Sequence, residues 1–123
     1  MAVTYTTAVK NARLDAVVSQ IGSTGVLEIG TTGMGSVLAT ISLNSTAGTS
    51  ASGVLTFSGF PKSDTSADAT GTAAAARIRT ATAGTDIVTG LTVGTSGSDI
   101  NLDSTSITAG QTVTITAASI THA

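Results

Sequence analysis

The chain is 123 residues long with a formal charge of −2, 10% charged residues and no cysteine. Five scattered Lys and Arg residues make no positive patch, which excludes a phosphate backbone as the main partner, and the lack of thiols excludes a disulfide scaffold or a thiolate metal site. One domain, 1–123, accounts for the length.

Polarity comes from hydroxyls. Forty of the 123 residues are Ser or Thr, whereas the charged fraction is well below the usual figure of about 25%. Thr is β-branched and suits the wet face of a strand, while Ser and Gly supply turns, so the bias favours a mostly-β protein. The positive mean hydropathy of +0.39 is carried by Ala, Val, Ile and Leu and argues against disorder. Residues Met1 to Thr7 have neither a basic stretch nor an apolar core of a leader, and no run reaches a membrane span, so the product is expected to stay in the cytoplasm where it is made, without a membrane partner.

The first predicted element is a helix over 7–21. Leu14, Val17, Val18 and Ile21 fall at i, i+3, i+4 and i+7; Thr6 or Thr7 can cap the start, and Gly22 suits the position past the end. This stripe is too narrow for a membrane anchor and is expected to lie against a sheet.

Residues 25–123 then read as about seven short strands. Val26 to Ile29 is the first, and Ser36 to Asn44 the second, with Val37, Ala39, Ile41 and Leu43 on the dry face and Thr40, Ser42 and Asn44 on the wet one. Gly53 to Phe60 is the third, ended by Pro61, and Ala73 to Thr80 the fourth, where Ala74, Ala76 and Ile78 oppose Ala75, Arg77 and Arg79. Ile87 to Val93 follows with a break of parity at Val88; Ile100 and Leu102 mark the next strand. Val113, Ile115 and Ala117 mark the last, and the phase of Ile120 predicts a bulge or change of sheet near Ala118. Turns are expected at Gly22 to Gly25, Ser63-Asp64, Ala83 to Thr85, Ser96 to Ser98 and Ala109-Gly110. The fold expected is a single-domain antiparallel β-sandwich, jelly-roll or immunoglobulin-like, with one short N-terminal helix.

Chemistry is sparse in this pattern. Asp99, Asn101 and Asp103 begin a calcium-loop spacing, but Ser104 stands where glycine is needed and no Glu follows. Gly30 to Ser36 is glycine-rich yet has no Lys and leads into a strand, so it reads as a loop tip and not a phosphate cradle. His122, the single histidine, has no partner for a triad or zinc site. Glu28, Asp64, Asp68, Asp86, Asp99 and Asp103 are available carboxylates with no sign of convergence, and two Phe, one Tyr and no Trp leave little for an aromatic sugar platform. No catalytic residue, cofactor or metal is expected.

The run Gly94 to Val113, GTSGSDINLDSTSITAGQTV, resembles small virion proteins of tailed bacteriophages of the head decoration, or cement, type. Lys10 to Ala16 and Ser63 to Ala73 add to the likeness, which spreads along nearly the whole chain. Where similar chains carry aromatic residues, just after Ile29 and around Ala75 and Ala76, this one has Gly30 and alanines. The resemblance implies a non-enzymatic β-sandwich on the exterior of an icosahedral capsid, bound to the major capsid protein and commonly trimeric. Val3, Tyr5, Arg77 and Arg79 are the candidate partner-binding residues, because termini and strand edges are natural sites of addition. A tail- or fibre-associated protein that binds a tail protein or a host-surface glycan is the alternative.

Overall fold

The computed structural model describes residues 5–81 and 84–121. Among the described residues one α-helix, α1 (Thr7–Ile21), precedes eleven strands, with a short 3-10 turn (Thr32–Met34) between the first two: β1 (Val26–Gly30), β2 (Val37–Ser42), β3 (Gly48–Ala51), β4 (Val54–Phe57), β5 (Lys62–Asp64), β6 (Gly71–Thr72), β7 (Ala75–Arg79), β8 (Asp86–Gly94), β9 (Ile100–Leu102), β10 (Ser106–Ile107) and β11 (Val113–Thr121). The protein is mostly β, as its hydroxyl-rich alternation predicts. The strand count exceeds the seven expected.

The helix has the predicted bounds. Thr6, in extended conformation, accepts a hydrogen bond from Val9 N at 3.3 Å, and Gly22, at φ 75°, ends the helix with its N–H donated to Val18 O. Leu14 and Ile21 are buried, and Val17 and Val18 pack beside them. A side chain at Gly25 would overlap Ile21 Cγ2, so the turn after the helix is glycine because Ile21 fills its space. Along the flank of this stripe α1 is also fastened by polar contacts. Gly53 N donates to Asn11 Oδ1 at 3.0 Å, and the Ser50 hydroxyl donates to Asp15 Oδ1 at 2.6 Å.

Nine strands form one curled sheet in the order β2-β1-β7-β8-β9-β11-β4-β3, with β5 also paired to β11. Strands β6 and β10 form a separate pair. Leu27 and Ile29 of β1 lie opposite Ile41 and Ala39 of β2 on one side, and Ile78 and Ala76 of β7 on the other. These residues are all buried and join Leu55, Phe57, Leu91, Ile100, Leu102, Val113 and Ile115 in a single core. Burial of each such large aliphatic side chain is worth roughly 1.5–3 kcal/mol.

Irregularities sit where the periodicity faltered. Between β7 and β8, Ala76 faces Leu91 but Ile78 faces Val88, so an extra residue bulges out at the level of Gly90, whose φ is 74°. This bulge turns Val88 toward Ile78 and explains its broken parity. Strand β11 bulges between Ile115 and Ala117. It pairs with β5 at Val113–Ile115 and with β4 at Ser119–Thr121, the change of partner that the phase of Ile120 predicts.

Four short strands depart from the sequence reading: β3, β5, β6 and β10. All are two to four residues long and rich in Gly, Ser and Thr or charged residues, without an apolar alternation to announce them. They exist because distant partners supply hydrogen bonds. Ser63-Asp64, expected as a turn, lies opposite Thr114 and Val113. Ser52 and Gly53, with φ of 51° and 75°, instead form the tight turn between β3 and β4.

One strand pair breaks the expected antiparallel order. β8 and β9 run parallel, with Val93 opposite Ile100, although only five residues connect them. Parallel neighbours usually need a crossover of about a dozen residues or more. Here Thr92 and Asp99 clasp the arch reciprocally: Thr92 N donates to Asp99 Oδ2 at 3.0 Å, and Asp99 N donates to Thr92 Oγ1 at 2.9 Å.

The glycine-rich 30–36 segment is a tied connection between β1 and β2. Thr31 N donates to Ser36 O at 3.0 Å, and Ser36 N to Thr31 Oγ1 at 3.0 Å. A Cβ at Gly30 would lie 2.6 Å from Ser36 O and 2.9 Å from Met34 Sδ, so this site has no room for a ring.

Candidate interaction surfaces

Of the candidate partner-binding residues, Tyr5 stands just before α1 and Arg77 and Arg79 lie on β7, whereas Val3, like the histidine His122, is outside the described residues. Tyr5 precedes α1, is 43% exposed, and carries the Arg13 guanidinium 4.6 Å from its ring centroid. Two turns of sequence separate them, so this cation–π contact fixes the ring against the second turn of the helix. Val9, 42% exposed, extends the same end of the helix into a small patch with an apolar contribution.

Arg77 and Arg79 are brought together on β7, and their target is internal. Opposite Arg77, on β1, stands Glu28, which is 5% exposed. Arg77 Nε donates to Glu28 Oε1 at 2.6 Å, and Arg79 Nη1 lies 3.7 Å from the same oxygen. Arg79 Nη2 donates to Gly84 O at 2.6 Å. Its Nε is 2.8 Å from Asp86 Oδ1, but the approach lacks hydrogen-bonding direction and acts as a charge contact. Two guanidinium groups thus lie over a buried carboxylate. Their charge is committed to holding β1, β7 and β8 in register.

Carboxylates converge elsewhere. Asp64 Oδ2 accepts from Thr40 N at 3.0 Å, and Asp68 Oδ2 accepts from the Thr40 hydroxyl at 3.3 Å. These contacts tie the 62–68 segment to β2 and close the curl of the sheet. Beside them opens a polar crevice of about 320 Å³ lined by Thr40, Ile41, Ser42, Lys62, Ser63, Asp64 and Thr65. Lys62 Nζ is held by Asn44 Oδ1 at 2.6 Å. No local pattern announces this junction, because its two sides, Thr40 and Asp64, are 24 residues apart.

The calcium-like run Asp99 to Asp103 is split across a strand end. Ile100 and Leu102 point into the core, while Asp99 clasps Thr92, Asn101 Oδ1 accepts from Ser98 N at 3.1 Å, and Asp103 Oδ1 accepts from Thr114 N at 3.4 Å. Each oxygen serves a different backbone group. Among the described residues no set of three or more His, Asp or Glu side chains is gathered for a metal ion.

A second groove, about 350 Å³, crosses β4 and β11 and is lined by Val54, Thr56, Phe57, Phe60, Thr116 and Ala117 to Ser119. The half-buried Phe60 ring forms one wall, with Lys62 Nζ 5.9 Å from its centroid. Hydroxyls of Thr56, Thr116 and Ser119 lie around a floor that includes the exposed, small Ala117. No described helix is long and apolar enough to cross a membrane.

No family model, no curated protein and no solved structure matches this chain.

Proposed function

We propose that the chain is a non-enzymatic virion structural protein of a tailed bacteriophage that decorates and stabilises the capsid by binding the lattice of the major capsid protein. The observation that carries this reading is the Gly94 to Val113 run, with its resemblance to head decoration proteins. Support comes from the physical character of the domain. Its core is aliphatic, with the single buried aromatic ring Phe57 among the described residues, and such a core buries less apolar area per residue than a ring-filled one. Contact with a lattice then adds stability by mass action, and many weak contacts add by multivalency.

In this reading the curled sheet is a variant of a β-sandwich, with β2-β1-β7-β8 and β9-β11-β4-β3 as its two layers. The subunit self-associates, with trimers favoured, and acts on the capsid exterior after synthesis in the host cytoplasm. Tyr5 and the outer rims of Arg77 and Arg79 are the described candidate contacts, since the first is exposed beside α1 and the second stand on the sheet's outer surface.

The Phe60 groove favours a second reading, a tail- or fibre-associated protein that binds a host-surface glycan, because an aromatic wall with hydroxyl neighbours is the chemistry of sugar contact. The test is to mix purified protein with undecorated heads, sediment them, and image the particles. Saturable binding at many copies per particle on capsomers is the expected result. A few copies at one vertex supports the tail reading, and no binding to the heads overturns the capsid reading.

A further inference from the structure

Strand β2, Val-Leu-Ala-Thr-Ile-Ser, has no charge and no proline. A six-residue run of this kind is the composition that stacks on copies of itself when its edge is free. One edge of β2 is laddered to β1, and the other is the end of the main sheet's strand order. Natural edges are blunted by Lys, Pro or bulges, and β2 itself supplies only the bulge at its start, between the Ile29 and Gly30 partners.

The protection comes from 24 residues further along the chain. Alternate residues of an antiparallel strand direct their N–H and C=O groups away from the partner, and on β2 these are Leu38, Thr40 and Ser42. Asp68 N donates to Leu38 O at 2.7 Å, and Asp64 Oδ2 accepts from Thr40 N at 3.0 Å. These are the bonds a neighbouring strand would make. Asp68 adds its Oδ2 to the Thr40 hydroxyl, and Asp64 Oδ1 accepts from Ser66 N at 3.0 Å, which holds the 64–68 turn in place. At Ser42 the guard stops, and the 320 Å³ crevice opens.

We infer that Asp64 and Asp68 form an edge guard that keeps β2 from pairing with β2 of a second copy. The Asp64 carboxylate does so by occupying Thr40 N–H, the Asp68 backbone amide by occupying Leu38 O, and the two carboxylates together by placing negative charge where two copies would meet. The occupant that fits the unguarded edge is this same strand from another molecule. Two uncharged β2 edges are complementary in hydrogen bonding and carry no repulsive charge of their own.

The test is Asp64→Ala/Asp68→Ala, followed by sedimentation velocity against the unsubstituted protein at equal concentration. The expected result is concentration-dependent growth to at least twice the original mass, reversed when Ser42→Lys adds a charge to the edge. Unchanged mass with native circular dichroism overturns the inference. So does growth that Ser42→Lys leaves unaltered, which would mark another surface or an unfolded chain. Amide exchange in the unsubstituted protein is a second measurement that survives a folding failure: Thr40 N–H should exchange about tenfold or more slowly than Ser42 N–H. Equal rates overturn the inference.

Discussion

Replacing Arg77 with alanine isolates the contribution of the charge cluster. The substitution removes the 2.6 Å bond to Glu28 Oε1 and leaves that carboxylate, with its side chain 6% exposed, facing only Arg79 Nη1 at 3.7 Å. A hydrogen bond to a charged group is worth about 1.5–3 kcal/mol, and breaking a buried pair costs about 3–5 kcal/mol. Arg77 is 22% exposed and Arg79 still contributes charge, which places the loss at the lower end, about 2–3 kcal/mol. Part of it is packing, because the Arg77 stem covers the outer face of the sheet. In urea, with a slope of roughly 1–3 kcal/mol per molar, the midpoint should fall by about 1–2 M. Protein concentration must be held fixed, since any self-association adds to apparent stability. The double substitution Glu28→Met/Arg77→Leu removes both charges, and by the same reasoning should lie within about 1 kcal/mol of the unsubstituted protein. If the double variant is no more stable than Arg77→Ala, the loss is one of shape and not of a stranded charge, and the reasoning fails.

Three further outcomes follow from other parts of the fold. Ile78→Ala opens a cavity under β1 and β8 and should cost about 2–5 kcal/mol by equilibrium unfolding. Gly48→Ala would drive a Cβ into the backbone of Thr56 and Phe57, so β3 should separate from β4, seen as faster amide exchange along 48–57 and a loss of about 1–3 kcal/mol. Gly53→Ala places a side chain at φ 75° and 3.2 Å from Lys10 Cδ, with an expected cost of about 1–2 kcal/mol and weaker seating of α1, read by exchange at Leu14.

Much of the scaffold was legible in the chain. The helix was readable because Leu14, Val17, Val18 and Ile21 recur at helical spacing between a threonine and a glycine, and these local signals need no distant partner. The strands β1, β2, β4, β7, β8, β9 and β11 were readable wherever β-branched and aliphatic residues alternate. Parity failures at Val88 and Ile120 were real signals too, since a side chain that must reach the core forces a bulge or a new partner.

The candidate surfaces were less legible. Arg77 and Arg79 were visible as outward residues of one strand, but their commitment to Glu28 depends on the register of β1 against β7, which no local pattern records. Asp64 looked like a turn residue because aspartate favours turns, whereas the structure uses its carboxylate to complete the edge of β2.

Sequence alone determined the mostly-β character, the helix and the aliphatic identity of the core, because these follow from periodicity and side-chain type over a few residues. Tertiary structure decided the short strands β3, β5, β6 and β10, the parallel β8–β9 arch and the curl that returns 62–68 to β2. Those features are made of hydrogen bonds between backbone groups that every residue carries, so only the folded arrangement selects which of them meet.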